Sequence, residues 1–475
     1  MTGSAHRGRE EAWGAAVVLA LLLLFLARAP LSASFWLDET ISAWIITGSG
    51  EDVARRATIY QGQSPFYYLL LWAAAGLTGH GELGLRLLSL ACGAAGLVVV
   101  YQLGVRLGGE RLAGLAAAAA LLCMNSFQDA VLSARPYALG FVSASASILL
   151  LLQLRERFSR ARACLFVLAC IVTLYAHFLF AVIFLAHAWH ILRCPELRRR
   201  ILPWAIGALV CALPLVPQAS NLFSRGGGLV FASSPSLMGL LGGAVPVPAA
   251  VAGIVGITLA LVWGGRLAGA PWRRASWAFL VPYIVLPVAL FGVTVLWRGG
   301  SMWVPRYWMW QSAPWAALLG SLLLAFQDAR SRRIALSAAA CFFALRLLTQ
   351  VRHLEDWRGA AHEVASAQGT IGLYTGLIEV ESGSGGTETE FSEYVRAPLS
   401  IYGVTAPIAV IAASRADRDV QQLPANTDYL VVMNRRLGDT TSREVIEAAA
   451  KGAGLELEPL RPGQLVTAYR ARKRS

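Results

Sequence analysis

With 475 residues, 56% of them hydrophobic and only 15% charged, the chain lies far from the roughly 25% charged composition of a soluble domain and reads as a polytopic membrane protein. Its formal charge of +13 does not mark a nucleic-acid binder, because the arginines fall in short clusters between apolar runs rather than in one basic stripe. The seven cysteines end at Cys341 and show neither a disulfide framework nor zinc spacing, and no Walker loop, strand-linked GxGxxG or HExxH occurs.

A bilayer span needs roughly 20 apolar residues. About eleven runs qualify, near 12–33, 85–105, 112–131, 136–154, 161–176, 178–192, 201–217, 236–263, 275–297, 307–326 and 334–350. The first could alternatively be a cleaved signal peptide, given the small residues of "LSAS" behind it. "SPFYYLLLWAAAGLTG", 64–79, is apolar but short, and is expected to be a shallow or half-inserted helix.

Arginine placement supports that reading, because positively charged loops stay cytoplasmic. With residue 1 inside, the inner loops at 106–111, 155–162, 193–200, 266–274 and 330–333 collect sixteen arginines, against seven in the outer loops through residue 306. Counting 64–79 as a full crossing would invert that bias. The "SFWLDETISAWI" loop, the segments around Arg135, His177, Arg225 and Arg306, and the tail after Gln350 are therefore expected on one outer face.

In chain order, that face first presents Asp38 and Glu39 beside an apolar run, where charge is costly unless water, a partner or a function offsets it. Adjacent helical side chains diverge by about 100 degrees, so the two carboxylates cannot do the same job. One can approach a substrate while the other organises the loop; an acidic pair that simply faces water is the plain alternative. "SARPYALGF" then puts Arg135 at the mouth of a span, followed by Pro136, suited to a first helical turn, and Tyr137. A guanidinium there suits a phosphate, which it grips with two N–H groups, or snorkels to the interface. "TLYAHFLF" sets His177 at an outer turn, and "VPRYWMW" sets Arg306 and Tyr307 in a tryptophan belt. His187 and His190, without a carboxylate companion, are weak metal ligands.

After residue 350 the composition becomes soluble, and helical and strand patterns alternate: "DWRGAAHEVASA" helix, "GTIGLYTG" strand, "GSGGTETE" flexible loop, "APIAVIAAS" and "TDYLVVMNR" strands, "TSREVIEAAAKGAG" helix, "QLVTAYRAR" strand. The expected fold class is a polytopic α-helical membrane domain over 1–350 with a small α/β domain over 351–475, which serves as a structural or acceptor-docking module.

Taken together, "WLDE", "QGQSPFYYLLLW", "ELGLRLLSL", "SARPYALGF", "LYAHFLF" and "PRYWMW" resemble the GT-C superfamily of membrane glycosyltransferases, in particular the protein O-mannosyltransferase-like group that includes the lipid A aminoarabinose transferase. The resemblance runs from residue 12 to about 350. It implies transfer of a monosaccharide from a polyprenyl-phosphate sugar to a lipid, glycan or protein acceptor outside the membrane, with inversion. It further implies Asp38 as general base, Glu39 orienting the acceptor or the loop, and Arg135 and Arg306 on the donor phosphate. His177, Tyr137, Tyr67 and Gln63 would be supporting contacts. Gln63 and Ser64 stand where the family usually has His or Lys and a first Pro, so Arg135, Arg306 or Arg225 would take over from that basic residue. No cofactor is implied, and a divalent metal is not required because the leaving group is already a stable phosphate. Only two lysines, Lys451 and Lys473, accompany many Arg and Ala, which suggests a high-GC bacterium and its plasma membrane, with the N-terminus cytoplasmic and the tail periplasmic.

Other classes remain. A lipid-linked oligosaccharide transporter or flippase should show paired halves, and no second "LDE" or "ARPY" follows. An O-antigen ligase should rest on a large late loop, whereas 218–235 is short with only Arg225. A scaffold displaying the tail would leave the outward arginine and acidic pair without a role.

Overall fold

The computed structural model describes residues 2–61, 63–218, 245–267, 278–286, 288–290, 309–349, 355–377, 388–433, 442–460 and 465–473, with a few isolated positions between them. Arg225 and Arg306 lie outside the described residues, as do parts of the expected runs 236–263, 275–297 and 307–326.

The chain begins with helix α1 (Thr2–Arg28), then a short outer arm of α2 (Leu37–Ile45), α3 (Gly50–Gln61) and α4 (Phe66–Thr78). The bundle continues through α5 (Glu82–Gly108), α6 (Arg111–Leu122), α7 (Asn125–Val131), α8 (Tyr137–Glu156), α9 (Arg160–Ala176), a 3₁₀ turn (Phe178–Ile183), α10 (Phe184–Leu192) and α11 (Pro195–Ala212). It closes with α12 (Val247–Val262), α13 (Ser312–Leu323) and α14 (Ala329–Thr349). Among the described residues four helices are long and apolar enough to cross a membrane: Gly8–Arg28, Glu82–Gly108, Tyr137–Glu156 and Pro195–Gln218.

The expected single span over 112–131 is broken: α6 and α7 meet at 74° and together form one bent candidate. No proline or glycine sits at the break; Cys123 ends α6 and Met124, extended at φ −85° and ψ 120°, starts α7. Helix α4 has 13 residues, about 20 Å of helix, which is short of the roughly 30 Å hydrocarbon layer.

Lipid gives helices no hydrophobic reason to associate, so the bundle relies on small residues that let backbones touch. A Cβ on Gly320 of α13 would lie 2.6 Å from the Ala117 nitrogen of α6, and one on Gly114 of α6 would lie 2.6 Å from the Tyr101 carbonyl of α5. Buried hydroxyls add cross-links, as where Thr173 of α9 donates to Ser143 of α8 at 2.9 Å.

One end of the bundle carries paired charges: Arg111 with Glu11 (3.4 Å), Arg332 with Glu110 (3.3 Å), Arg333 with Glu10 (3.5 Å), and Arg106 with Glu156. These are the arginines of the expected inner loops and the start of α1. The end of α1, the start of α5 and the α7–α8 turn meet at the opposite end, where the outer arm lies.

The tail contains α15 (Trp357–Val364), strand β1 (Thr370–Tyr374), α16 (Glu388–Ser400), β2 (Ile408–Val410), α17 (Ala416–Gln421), β3 (Thr427–Met433), α18 (Ser442–Gly452), β4 (Leu455–Pro459) and β5 (Val466–Lys473). The sheet order is β2-β1-β3-β5-β4, parallel across β2, β1 and β3 and antiparallel to β5 and β4. Register sets Leu373 beside Val431 and Val431 beside Ala468. Alternation along β3 sends Leu430 and Val432 toward Ile446 and Ala450 of α18, and Tyr429, Val431 and Met433 to the other face. That second face is continuous with the outer arm: Leu37, Trp44, Tyr60 and Tyr68 belong to the same core as Trp357, Tyr394 and Val431. The stretch expected as a flexible "GSGGTETE" loop turns helical at Glu388, and β4 was not anticipated from sequence.

Candidate functional site

The site begins with the start of α2. Trp36 is extended at φ −84° and ψ 168°, and Glu39, at the third helical position, reaches back to accept from the Trp36 backbone N–H at 3.2 Å. That is the carboxylate half of a capping box, and acidic side chains in a first turn also suit the helix dipole. The next orphan donor, Leu37 N–H, is taken by the tail: Glu355 Oε2 accepts it at 2.6 Å while also accepting from Trp357 Nε1 at 3.0 Å.

Glu39 is wholly buried. Its oxygens accept from Arg86 Nε at 2.9 Å and Nη2 at 2.6 Å, and from the Ala134 backbone N–H at 2.8 Å. Arg86, equally buried, spends its remaining protons on the carbonyls of Pro30, Leu31, Ala33 and Ser34. One ion pair thus ties together the end of α1, the start of α2, the start of α5 and the turn that carries Arg135. A buried charge needs such saturation to be tolerated. Glu39 is accordingly a positioning residue.

Asp38 points the other way, its side chain 19% exposed, with Oδ2 3.9 Å from Arg135 Nη2. Arg135 itself is buried. Its Nη1 donates to neutral oxygens: Gln61 Oε1 at 3.0 Å, Tyr68 OH at 3.1 Å, the Asp38 carbonyl at 3.3 Å and Ser42 Oγ at 3.5 Å. The guanidinium lies 6.0 Å from the Tyr137 ring, Tyr137 lies 5.3 Å from His177, and His177 lies 5.1 Å from Phe180. The result is a partly accessible carboxylate opposite a fixed guanidinium, backed by a buried aromatic row. Such a mouth can accept a proton from one group and hold an anion beside it.

The structure therefore brings Asp38, Arg135, Tyr137 and His177 together. Tyr67 is buried, edge-on to Tyr68 at 5.4 Å, but Tyr68 is the one that meets Arg135. Likewise Gln61, not Gln63, bonds the guanidinium; Gln63 Oε1 is buried and finds no hydrogen-bond partner among the described residues. His187 and His190 lie apart from this mouth and are spoken for. Ser147 Oγ gives its proton to the Ala144 carbonyl and so accepts from His187 Nε2, leaving Nδ1 to accept from Tyr283. His190 Nε2 donates to the Phe279 carbonyl and Nδ1 accepts from Arg155.

No protein-family model matches the sequence, and no curated protein matches it. Solved structures do. ArnT from Cupriavidus metallidurans in the apo state aligns with a TM-score of 0.55 at 13% identity, over 97% of this chain and 98% of that one. The same protein bound to undecaprenyl phosphate aligns with a TM-score of 0.55 at 12% identity over the same shares of the chains, 97% and 98%. The archaeal oligosaccharyltransferase AglB from Archaeoglobus fulgidus, in complex with an inhibitory peptide and a dolichol-phosphate, aligns at 0.50 and 11% identity over 96% of this chain and 74% of that one. The chain has the GT-C fold.

Within this GT-C fold, the outer arm and tail interlock around the mouth. Tyr402 OH accepts from the Phe35 backbone N–H at 2.9 Å and donates to Glu82 Oε1 at 3.2 Å, and burial pushes its phenol up to about 12. Arg358 bonds Ser32, Ser34 and Glu82. Arg55 and Arg56 of α3 pair with Glu390 of α16, while Tyr60, Tyr394 and Trp44 form an aromatic triangle, Tyr60 and Tyr394 stacked at 4.6 Å. Sequence reasoning placed Arg86 among the outer arginines but gave it no role, and passed over Gln61, Tyr68, Glu355 and Tyr402. For Arg86 a signal existed, an arginine early in an apolar helix; for the tail residues there was none.

Proposed function

We propose that the chain transfers a monosaccharide from a polyprenyl-phosphate sugar to a hydroxyl of a lipid, glycan or protein acceptor, inverting the anomeric carbon. The observation that carries this reading is the opposition of Asp38, on the outer arm, and Arg135, in the α7–α8 turn, at 3.9 Å in a GT-C bundle. The acceptor oxygen attacks the anomeric carbon, its proton passes to Asp38, the bond from that carbon to the phosphate oxygen breaks, and polyprenyl phosphate leaves. Arg135 stabilises the charge that collects on the departing phosphate. Its separation from the Asp38 carboxylate exceeds that of a direct charge-assisted hydrogen bond, about 2.7–2.9 Å, so a donor phosphate can recruit the guanidinium without first dismantling a tight pair. Arg306 is a second candidate for that phosphate, Tyr137 and His177 pack behind the guanidinium, and Glu39 holds the loop.

The leaving group needs cations but no metal in particular. The ArnT complex with undecaprenyl phosphate and the AglB complex with a dolichol-phosphate support a lipid-phosphate carrier as the donor class. In this reading the mouth faces the outside of a bacterial plasma membrane, with the N-terminus cytoplasmic.

The test is to incubate membranes containing the chain with a panel of radiolabelled polyprenyl-phosphate sugars. Label leaving the carrier for an acceptor supports the reading. Label that stays on the carrier while changing leaflet would assign transport instead.

A further inference from the structure

At the end of the bundle opposite Asp38, a surface furrow of about 550 Å³ runs between α12 and α14. That is within the roughly 300–1,000 Å³ of ligand sites. The two helices are in backbone contact at its floor, since a Cβ on Gly256 would lie 2.4 Å from the Ala335 carbonyl. Leu259 and Trp263 stand on one side, and Ile334, Ala338 and Cys341 on the other, where small side chains leave the space open. Trp263 is 63% exposed, and a tryptophan at a helix end marks the headgroup level of a bilayer.

The mouth of the furrow is basic. Arg330 and Arg333 line it, at the N-terminal turn of α14, where the helix dipole adds positive potential. Among the described residues, Glu10 is the one carboxylate paired with an arginine of the furrow. Asp328 caps α14 by accepting from Ser331 N–H at 2.7 Å, Glu110 takes Arg332, and Glu10 takes the Nε of Arg333 at 3.5 Å. Arg330 is exposed and has no carboxylate partner among the described residues. A guanidinium without a counter-ion, a tryptophan and an apolar trough at one depth match one kind of molecule, a phosphodiester carrying acyl chains.

We propose that this furrow binds an anionic glycerophospholipid of the adjoining leaflet, with its phosphate on Arg330 and Arg333 and one acyl chain between α12 and α14. The site is separate from the Asp38 mouth and does not depend on the reaction assigned there.

The experiment is native mass spectrometry of the purified full chain in detergent, titrated with phosphatidylglycerol or with diacylglycerol, which lacks the phosphate, of identical acyl chains. The wild type is expected to bind phosphatidylglycerol about tenfold more tightly, the scale of one charge-assisted phosphate contact. Arg330→Gln, an exposed change that keeps the Glu10 pair, should reduce that preference while leaving diacylglycerol binding unchanged. Ala338→Phe, which fills the trough, should weaken both lipids. Equal binding of the two lipids by the wild type, or an undiminished preference in Arg330→Gln, overturns the proposal. Melting temperatures within the wild-type range confirm that both variants are folded.

Discussion

Asp38 Oδ2 and Arg135 Nη2 stand 3.9 Å apart although 97 residues separate them in the chain. The contact exists because Glu39, next to Asp38, accepts from the backbone of Ala134, next to Arg135. Each reactive side chain is aimed by its neighbour.

Asp38→Asn should abolish label transfer by about 10²–10⁴-fold, the usual contribution of a positioned base, while the melting temperature stays put because the side chain is partly solvated. Single-turnover assays on the labelled donor check this. Full activity in the variant removes Asp38 as the base.

Arg135→Lys keeps a charge but loses the fork that Gln61, Tyr68 and Ser42 hold in place. Its apparent KM for the polyprenyl donor should rise by about tenfold, with Arg135→Ala worse again, as expected for a charge-assisted contact of roughly 1.5–3 kcal/mol. An unchanged donor KM would point to a purely structural arginine.

Removing one partner of the buried Arg86–Glu39 pair, as in Glu39→Gln or Arg86→Met, should destabilise the fold by about 3–5 kcal/mol, since an uncompensated charge is left among apolar groups. The double variant should be less harmed than the two losses added together. Thermal unfolding in detergent of the three chains reads out that coupling.

Tyr402 ties the tail to Phe35, and its raised phenol carries a sign. The neutral form bonds Glu82, so its contribution to docking is complete below the ordinary phenol value near 10 and is lost as pH climbs through about 12. Tyrosinate difference absorbance should show the phenol signal near 12, which Tyr402 shares with Tyr60, and Tyr402→Phe should reduce it by one phenol. A late signal of unchanged size in the variant shows that Tyr402 does not titrate there.

How much of this was legible beforehand follows from the range of each signal. Apolar runs and arginine clusters are local, and they were enough to bring the "LDE" and "ARPY" segments to the same end of the bundle. The grip of Arg86 on Glu39 crosses 47 residues and leaves no periodic trace. The bend between α6 and α7 carries no proline or glycine, so composition alone read one straight span. Helix α16 follows a glycine-rich stretch and contains Pro398, both of which suggest a loop, yet its Tyr394 face is held by Trp44 and Tyr60. Glu355 and Tyr402 act through partners over 300 residues away. Such long-range assignments come only from packing.

The aromatic triangle of Trp44, Tyr60 and Tyr394 has a consequence for how the molecule is made. Two of its members leave the ribosome early and the third hundreds of residues later, so the outer arm must wait, unfinished, until α16 arrives. A chain cut short before Tyr394 would keep the Glu39–Arg86 tie but leave the Trp44 and Tyr60 rings without the third member that packs on them.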